Sequence, residues 1–207
     1  TKSGTNEFKG SAAFYSSPAA VRGDTSMVSL ATGNANVTDE SVNDFAFSVG
    51  GPIKQDKVWW FGTYRTQKNA VAQPLFQFDK TFDTKLWNAV GKVTYQATQN
   101  NKFIGYYQWG QKSQPNRLTN AGYTFATEGS TNLQDSGSWV YKGEWNGTVS
   151  DKLYLEARFG DFGYYFPLLT NGTDDFWIRD TGALTAFGSE QRWQLDRDRK
   201  QFNLAST

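Results

Sequence analysis

Tight and long connections alternate along this chain, and no other feature of the sequence restricts its fold as strongly. Period-two apolar alternation marks eight strands, at 10–16, 44–53, 57–66, 88–97, 102–112, 138–149, 152–165 and 201–206. Three connections are short: "KQDK" (Lys54–Lys57), "TQNN" (Thr98–Asn101) and "SD" (Ser150, Asp151). The others, at 17–43, 67–87, 113–137 and 166–200, are long and rich in Gly, Asn, Asp, Thr and Ser. In an up-and-down meander every second connection lies at the same end of the sheet. One end thus carries tight turns and the other long loops, the asymmetry of outer-membrane barrels. The expected fold is all-β: an antiparallel up-and-down meander of about eight transmembrane β-barrel strands, with short periplasmic turns and long extracellular loops.

The tight turns also repeat in detail. Each ends in a lysine followed by an apolar strand, "DKVWWF", "NKFIGYY" and "DKLYLEA", with Lys57, Lys102 and Lys152 spaced by 45 and 50 residues. A propeller blade needs four strands in such a period. Here each period holds two strands and one long loop, so the repeat is a hairpin. In "GGPIKQDKVWWFG" the charged turn runs straight into Trp59 and Trp60. Amphipathic rings beside a charged turn suit a membrane interface. Adjacent strand residues point to opposite faces, so only one of these two rings can reach lipid.

The hairpin over 138–165 has one aromatic face and one charged face. Trp139, Tyr141, Gly143 and Trp145 share a parity with Leu153, Leu155, Ala157 and Phe159 across the turn. Lys142, Glu144, Glu156 and Arg158 take the other parity and are the candidate lumen-facing residues. Opposite charges across a ladder favour a register by roughly 0.2–1 kcal/mol, and like charges oppose it. The expected register therefore sets Glu144 against Arg158, Trp145 against Ala157 and Gly143 against Phe159, with a loop of Ser150, Asp151 and Lys152. The candidate membrane-interface aromatics are Trp59, Trp60, Trp139 and Trp145.

Composition argues against chemistry. Histidine and cysteine are absent, which removes Ser-His and Cys-His catalytic pairs, disulfides and the usual metal ligands. A net charge of +1 offers no basic stripe for nucleic acid. No apolar run approaches the roughly 18 residues of a membrane helix. A mean hydropathy of −0.64 does not count against a barrel, because only alternate strand residues touch lipid. The expectation is no enzyme, no catalytic residue, no cofactor and no metal. Asp174, Asp175 and the "DRDRK" run (Asp196–Lys200) read as a solvated loop and a charged strand end rather than a cation or sugar site. Among aromatics in the long connections, Tyr123, Phe125, Trp177 and Trp193 are the ligand candidates; anchoring the loops to one another is the favoured role.

Two segments carry a family resemblance. "TKSGTNEFKGSAAFY" (Thr1–Tyr15) resembles the junction between plug and first strand in TonB-dependent outer-membrane transporters, in the subgroup with a carboxypeptidase-regulatory-like domain ahead of the plug. "FAFSVGGPIKQDKVWWFGTYR" (Phe45–Arg65) resembles that group's second strand, first periplasmic turn and third strand. The resemblance implies that residues 1–9 close a plug and 10–207 open a barrel of about 22 strands, incomplete in this stretch. The chain lacks a TonB box and plug body, and it reads as a piece of a longer protein. Implied partners are outer-membrane lipid, the TonB complex through the missing plug region, and a small or oligomeric nutrient such as a siderophore, glycan or peptide. The implied location is the outer membrane of a Gram-negative bacterium.

Two other folds compete. A soluble carbohydrate-binding sandwich predicts that Trp139, Tyr141, Trp145, Leu153 and Leu155 form a dry core between two sheets. A complete eight-stranded barrel needs strand 201–206 to pair with strand 10–16, for which the last strand looks too short.

Overall fold

A computed structural model of the chain describes residues 4–18, 20, 39–71, 76–78, 80–118 and 124–207. Among these, eleven strands form: β1 (Lys9–Pro18), β2 (Asp39–Lys54), β3 (Val58–Val71), β4 (Phe82–Thr98), β5 (Asn101–Arg117), β6 (Phe125–Ala126), β7 (Asn132–Ser150), β8 (Leu153–Thr170), β9 (Trp177–Asp180), β10 (Thr185–Gly188) and β11 (Trp193–Ser206). Eight make one sheet in the order β1-β2-β3-β4-β5-β7-β8-β11, and every pairing in it is antiparallel. This is the expected meander. The strands at the two ends of that order, β1 and β11, do not pair with each other, so the sheet is open.

The strands run further than the alternation foretold. β4 starts at Phe82 rather than 88, β5 ends at Arg117 rather than 112, and β11 starts at Trp193 rather than 201. The reason given against a closed small barrel, a short last strand, therefore fails; it is the absent β1–β11 pairing that leaves the sheet open. The connections are not wholly irregular either: β6, β10 and β9 build a small second sheet beyond the long-connection end of the first. Its β6–β10 pairing is parallel and bridges residues about sixty positions apart, which no local pattern announces.

Register between β7 and β8 matches expectation. Glu144 faces Arg158, Trp145 faces Ala157 and Gly143 faces Phe159. The turn is tighter than expected, because β7 runs through Ser150 after an irregularity beyond Thr148 and leaves Asp151 and Lys152 at the tip.

One hydrogen-bonded row passes through Trp60, Val93, Gly105, Gly143 and Phe159. Trp60 lies two residues from the tight-turn end of β3, Gly105 four from that of β5, and Phe159 six from that of β8. Each hairpin is thus displaced by two residues, or one per strand. With about 3.3 Å of rise per residue and about 4.8 Å between strands, that stagger tilts the strands by about 35°. Barrel strands tilt by that amount.

No dry core underlies the sheet. The buried apolar side chains among the described residues are Ala70, Phe76, Ala126, Leu168 and Ala186, while Tyr141 is 45% exposed. Trp139, Trp145, Leu153 and Leu155 are likewise not buried, so the sandwich alternative loses its central requirement. A single sheet with two exposed faces can be stable only if something apolar covers one of them.

Candidate functional site

The register carries each strand's parity across the whole sheet and sorts side chains onto two faces. One face is aromatic and, between its rings on β3 to β7, uncharged; on β8 and β11 it also carries Asp161, Asp196, Asp198 and Lys200. Near the tight turns it presents Trp60, Tyr95, Phe103 and Trp145, with Tyr95 and Phe103 stacked at 6.3 Å. Six to eight residues further along the strands come Trp87, Trp109 and Trp139, the latter two stacked at 6.4 Å. Between these girdles lie Gly62, Gly91, Val93, Gly105, Tyr107, Tyr141 and Gly143. Two indoles bond at the margins of the band, Trp145 Nε1 donating to Asn101 Oδ1 (3.0 Å) and Trp87 Nε1 to Gln111 Oε1 (3.1 Å), while Trp139 Nε1 donates inward to Asp161 Oδ1 (3.2 Å), which lies opposite Tyr141. Rings with apolar bodies and polar tips at two levels form the double belt of a transmembrane barrel.

Trp59 leaves that set. It pairs with Pro52 and Thr94 on the opposite face, whereas Trp60 pairs with Gly51 and Val93 on the aromatic one. Its indole N–H donates to Asn6 Oδ1 (2.7 Å), Asn6 Nδ2 donates to Asp56 Oδ1 (2.6 Å), and the Asp56 amide donates back to Asn6 Oδ1 (3.1 Å). Asp56 sits at φ 59°, a left-handed conformation that Asp tolerates better than most side chains. The segment before β1 is therefore clamped to the first tight turn. Glycines make the approach possible. A Cβ on Gly4 would collide with the Trp60 carbonyl, and one on Gly51 with the Phe8 ring. The two quoted sequence segments, fifty residues apart, touch here.

The second face is polar near its tight-turn end. Arg158 Nη2 contacts Glu156 Oε2 at 2.7 Å and its Nε lies 3.7 Å from Glu144 Oε2. Asn146 Nδ2 donates to Glu144 Oε1 (2.8 Å), and Lys142 lies over the Tyr106 ring at 5.5 Å. Three of the four candidate lumen-facing residues thus share one cluster, and Lys142 stands on the same face against Tyr106. Arg158 is half exposed, so these pairs contribute at most about 1 kcal/mol each.

Towards the long-connection end the same face carries cations, amides and rings. A cavity of about 490 Å³ is bounded by Arg65, Asn88, Lys112, Gln134, Tyr164 and Phe166, among others. At its floor Gly110 lies opposite Ser138, and a Cβ there would meet Ser138 Oγ at 3.3 Å and Asn88 Nδ2 at 3.5 Å. Arg65 is engaged by Asp44 through Nε–Oδ1 (3.0 Å) and Nη2–Oδ2 (2.5 Å). Arg117 donates to Gln114 Oε1 (3.0 Å) and Gln134 Oε1 (2.5 Å) and lies 5.3 Å from the Phe166 centroid. Asp56, Asn6, Lys112 and Arg117 escaped the sequence reasoning; only the position of Asp56 in a tight turn offered a signal.

The candidate ligand aromatics do not form one open platform. Phe125 packs on Phe187 in the small sheet (5.0 Å), Trp177 lies under Arg179 (5.9 Å), and Trp193 meets Phe166 edge-on (5.3 Å). Tyr123 lies outside the described residues. Among the described residues no three acidic side chains gather where a metal ion could be held.

A family model described as "Outer membrane beta barrel domain" matches residues 1–78, the part that holds the Asn6 clamp and the first tight turn. No curated protein and no solved structure gives a significant match. The match and the two-faced, staggered sheet together make this an outer-membrane β-barrel protein of a Gram-negative bacterium.

Proposed function

We propose that the chain supplies the first strands of a TonB-dependent transporter, which takes up a bulky nutrient such as a siderophore, glycan or peptide using energy from the inner-membrane complex. The carrying observation is the path of residues 4–8. Asn6 lies beside the first tight turn with its side chain bonded to Trp59, on the face away from the aromatic belts, while the Phe8 ring has crossed to the Gly51 side as β1 begins. Chain that arrives there arrives inside a barrel, where a plug would sit. On this view residues 1–9 end the plug and 10–207 begin the barrel wall. The tight turns lie in the periplasm, the long connections face outward, and Lys142, Glu144, Glu156 and Arg158 face the lumen. Carriage of this kind needs no covalent catalysis.

The test uses the full-length parent protein. It should fractionate with outer membrane, migrate differently before and after boiling, and bind the periplasmic domain of TonB. A boiling-sensitive barrel that never binds TonB, with or without nutrient extract present, refutes the transporter while leaving the barrel intact.

A further inference from the structure

We infer that the 490 Å³ cavity on the polar face is a binding site for an anionic, polyhydroxylated ligand, in chemical terms an acidic saccharide, with Lys112 as its charge-reading residue. This deepens the transporter reading and rests on it for the ligand's fate, though not for its binding.

The argument begins with charge. On the half of this face towards the long connections stand Arg65, Lys112, Arg117, Arg197 and Arg199. The described carboxylate there is Asp44, and both its oxygens are committed to Arg65. The "DRDRK" run explains part of the imbalance: strand alternation sends Arg197 and Arg199 to this face, opposite Tyr164 and Phe162, and sends Asp196 and Asp198 to the other. Among the described residues no carboxylate lies within ion-pair distance of Lys112 or Arg117. Arg117 is held by two neutral amides, and its buried Nε has no partner. A cation left without a counter-ion is stabilised by an anion that fills the space before it.

The rest of the cavity selects the kind of anion. The Tyr164 and Phe166 rings on one side offer flat apolar surface, and Asn88 and Ser138 offer donors and acceptors. Rings beside amides and hydroxyls suit a sugar, whose faces are apolar and whose rim is hydroxylated. The volume falls in the range of small-ligand pockets, about 300–1,000 Å³.

The experiment measures equilibrium binding to the full-length protein in detergent. The probes are uronate, sulfated and sialylated oligosaccharides set against neutral oligosaccharides of equal length. At least one acidic class should bind while the neutral ones do not, and raised salt should weaken it. Lys112→Gln should weaken that binding about tenfold or more, whereas Lys112→Arg retains most of it. Lys152→Gln, at a tight turn, serves as the charge control. No acidic binder, equal binding of neutral sugars, or indifference to Lys112→Gln in a protein that still shifts on boiling overturns the assignment. Acid-selective binding without TonB binding would remove the transporter reading and keep the site.

Discussion

Exchanging Asn6 and Asp56 tests the clamp between the segment before β1 and the first tight turn. Asn6 makes three side-chain hydrogen bonds, at 2.6, 2.7 and 3.1 Å. Each is worth about 0.5–1.5 kcal/mol net, and water reaches all three groups, so Asn6→Ala should loosen the clamp by about 1–2 kcal/mol. That corresponds to about five- to thirtyfold faster local opening. Asn6→Asp keeps both acceptor bonds but removes the donor and sets a carboxylate against Asp56, so it should loosen the clamp at least as much. Asp56→Asn alone should be mild, since Asn tolerates φ 59° and its oxygen still accepts from Asn6. The double exchange restores the pair with donor and acceptor reversed, and should recover about 1 kcal/mol or more relative to the sum of the singles. Amide hydrogen exchange over 54–60 in the full-length protein reads each variant. Additive single effects, or no change for Asn6→Ala, would refute the reasoning.

Burial in lipid predicts that Val93→Arg, mid-band on the aromatic face and 45% exposed there, costs about 2–4 kcal/mol in urea unfolding from liposomes. Val140→Arg on the polar face should cost far less; equal costs would deny that the faces differ. Gly163→Ala places a Cβ 2.5 Å from Trp139 Cζ2 and 2.6 Å from the Arg197 carbonyl, so it should destabilise the barrel by about 1–3 kcal/mol. Gly143→Ala meets nothing within 4 Å and should be nearly silent in the same assay. The Gly182 and Ala183 amides donate to Asp180 (2.8 and 2.9 Å) and hold its carboxyl below the usual range. The folded carboxyl is the stronger acid, so the β9–β10 turn keeps this support above the unfolded Asp value and loses it as pH falls through the lowered one. Protection of those two amides, corrected for intrinsic exchange, should drop on acidification, and Asp180→Asn should flatten the dependence.

The sequence announced strands wherever the two faces differ in polarity. Over 138–165 the alternation of Trp139, Tyr141 and Trp145 with Lys142 and Glu144 was strong enough to give even the register. It failed where both faces carry charge. "WQLDRDRK" (Trp193–Lys200) is strand from end to end, yet it alternates one charge with another and hides its period. The small sheet stayed invisible for a different reason: Thr185 pairs with Phe125 across long sequence separation, through strands of two and four residues. The cationic half of the polar face was illegible because Lys112 and Arg117 are marked only by their neighbours on other strands. Trp59 and Trp60 could be separated only when register tied each of them to a sorted face.

The displacement of one residue per strand makes depth a property of strand as well as row. Trp60 and Phe159 lie in one line of hydrogen bonds, yet one is a step from its turn and the other is well up its strand. Relative to a flat bilayer the line climbs like a stair around the wall. This accounts for the choice of ring: an indole where the line starts among headgroups, a phenyl where it has reached acyl chains. Any strand added beside β11 continues the climb. Residues equivalent in pairing will thus differ in the solvent they meet, and a substitution harmless on β3 can be costly on β8.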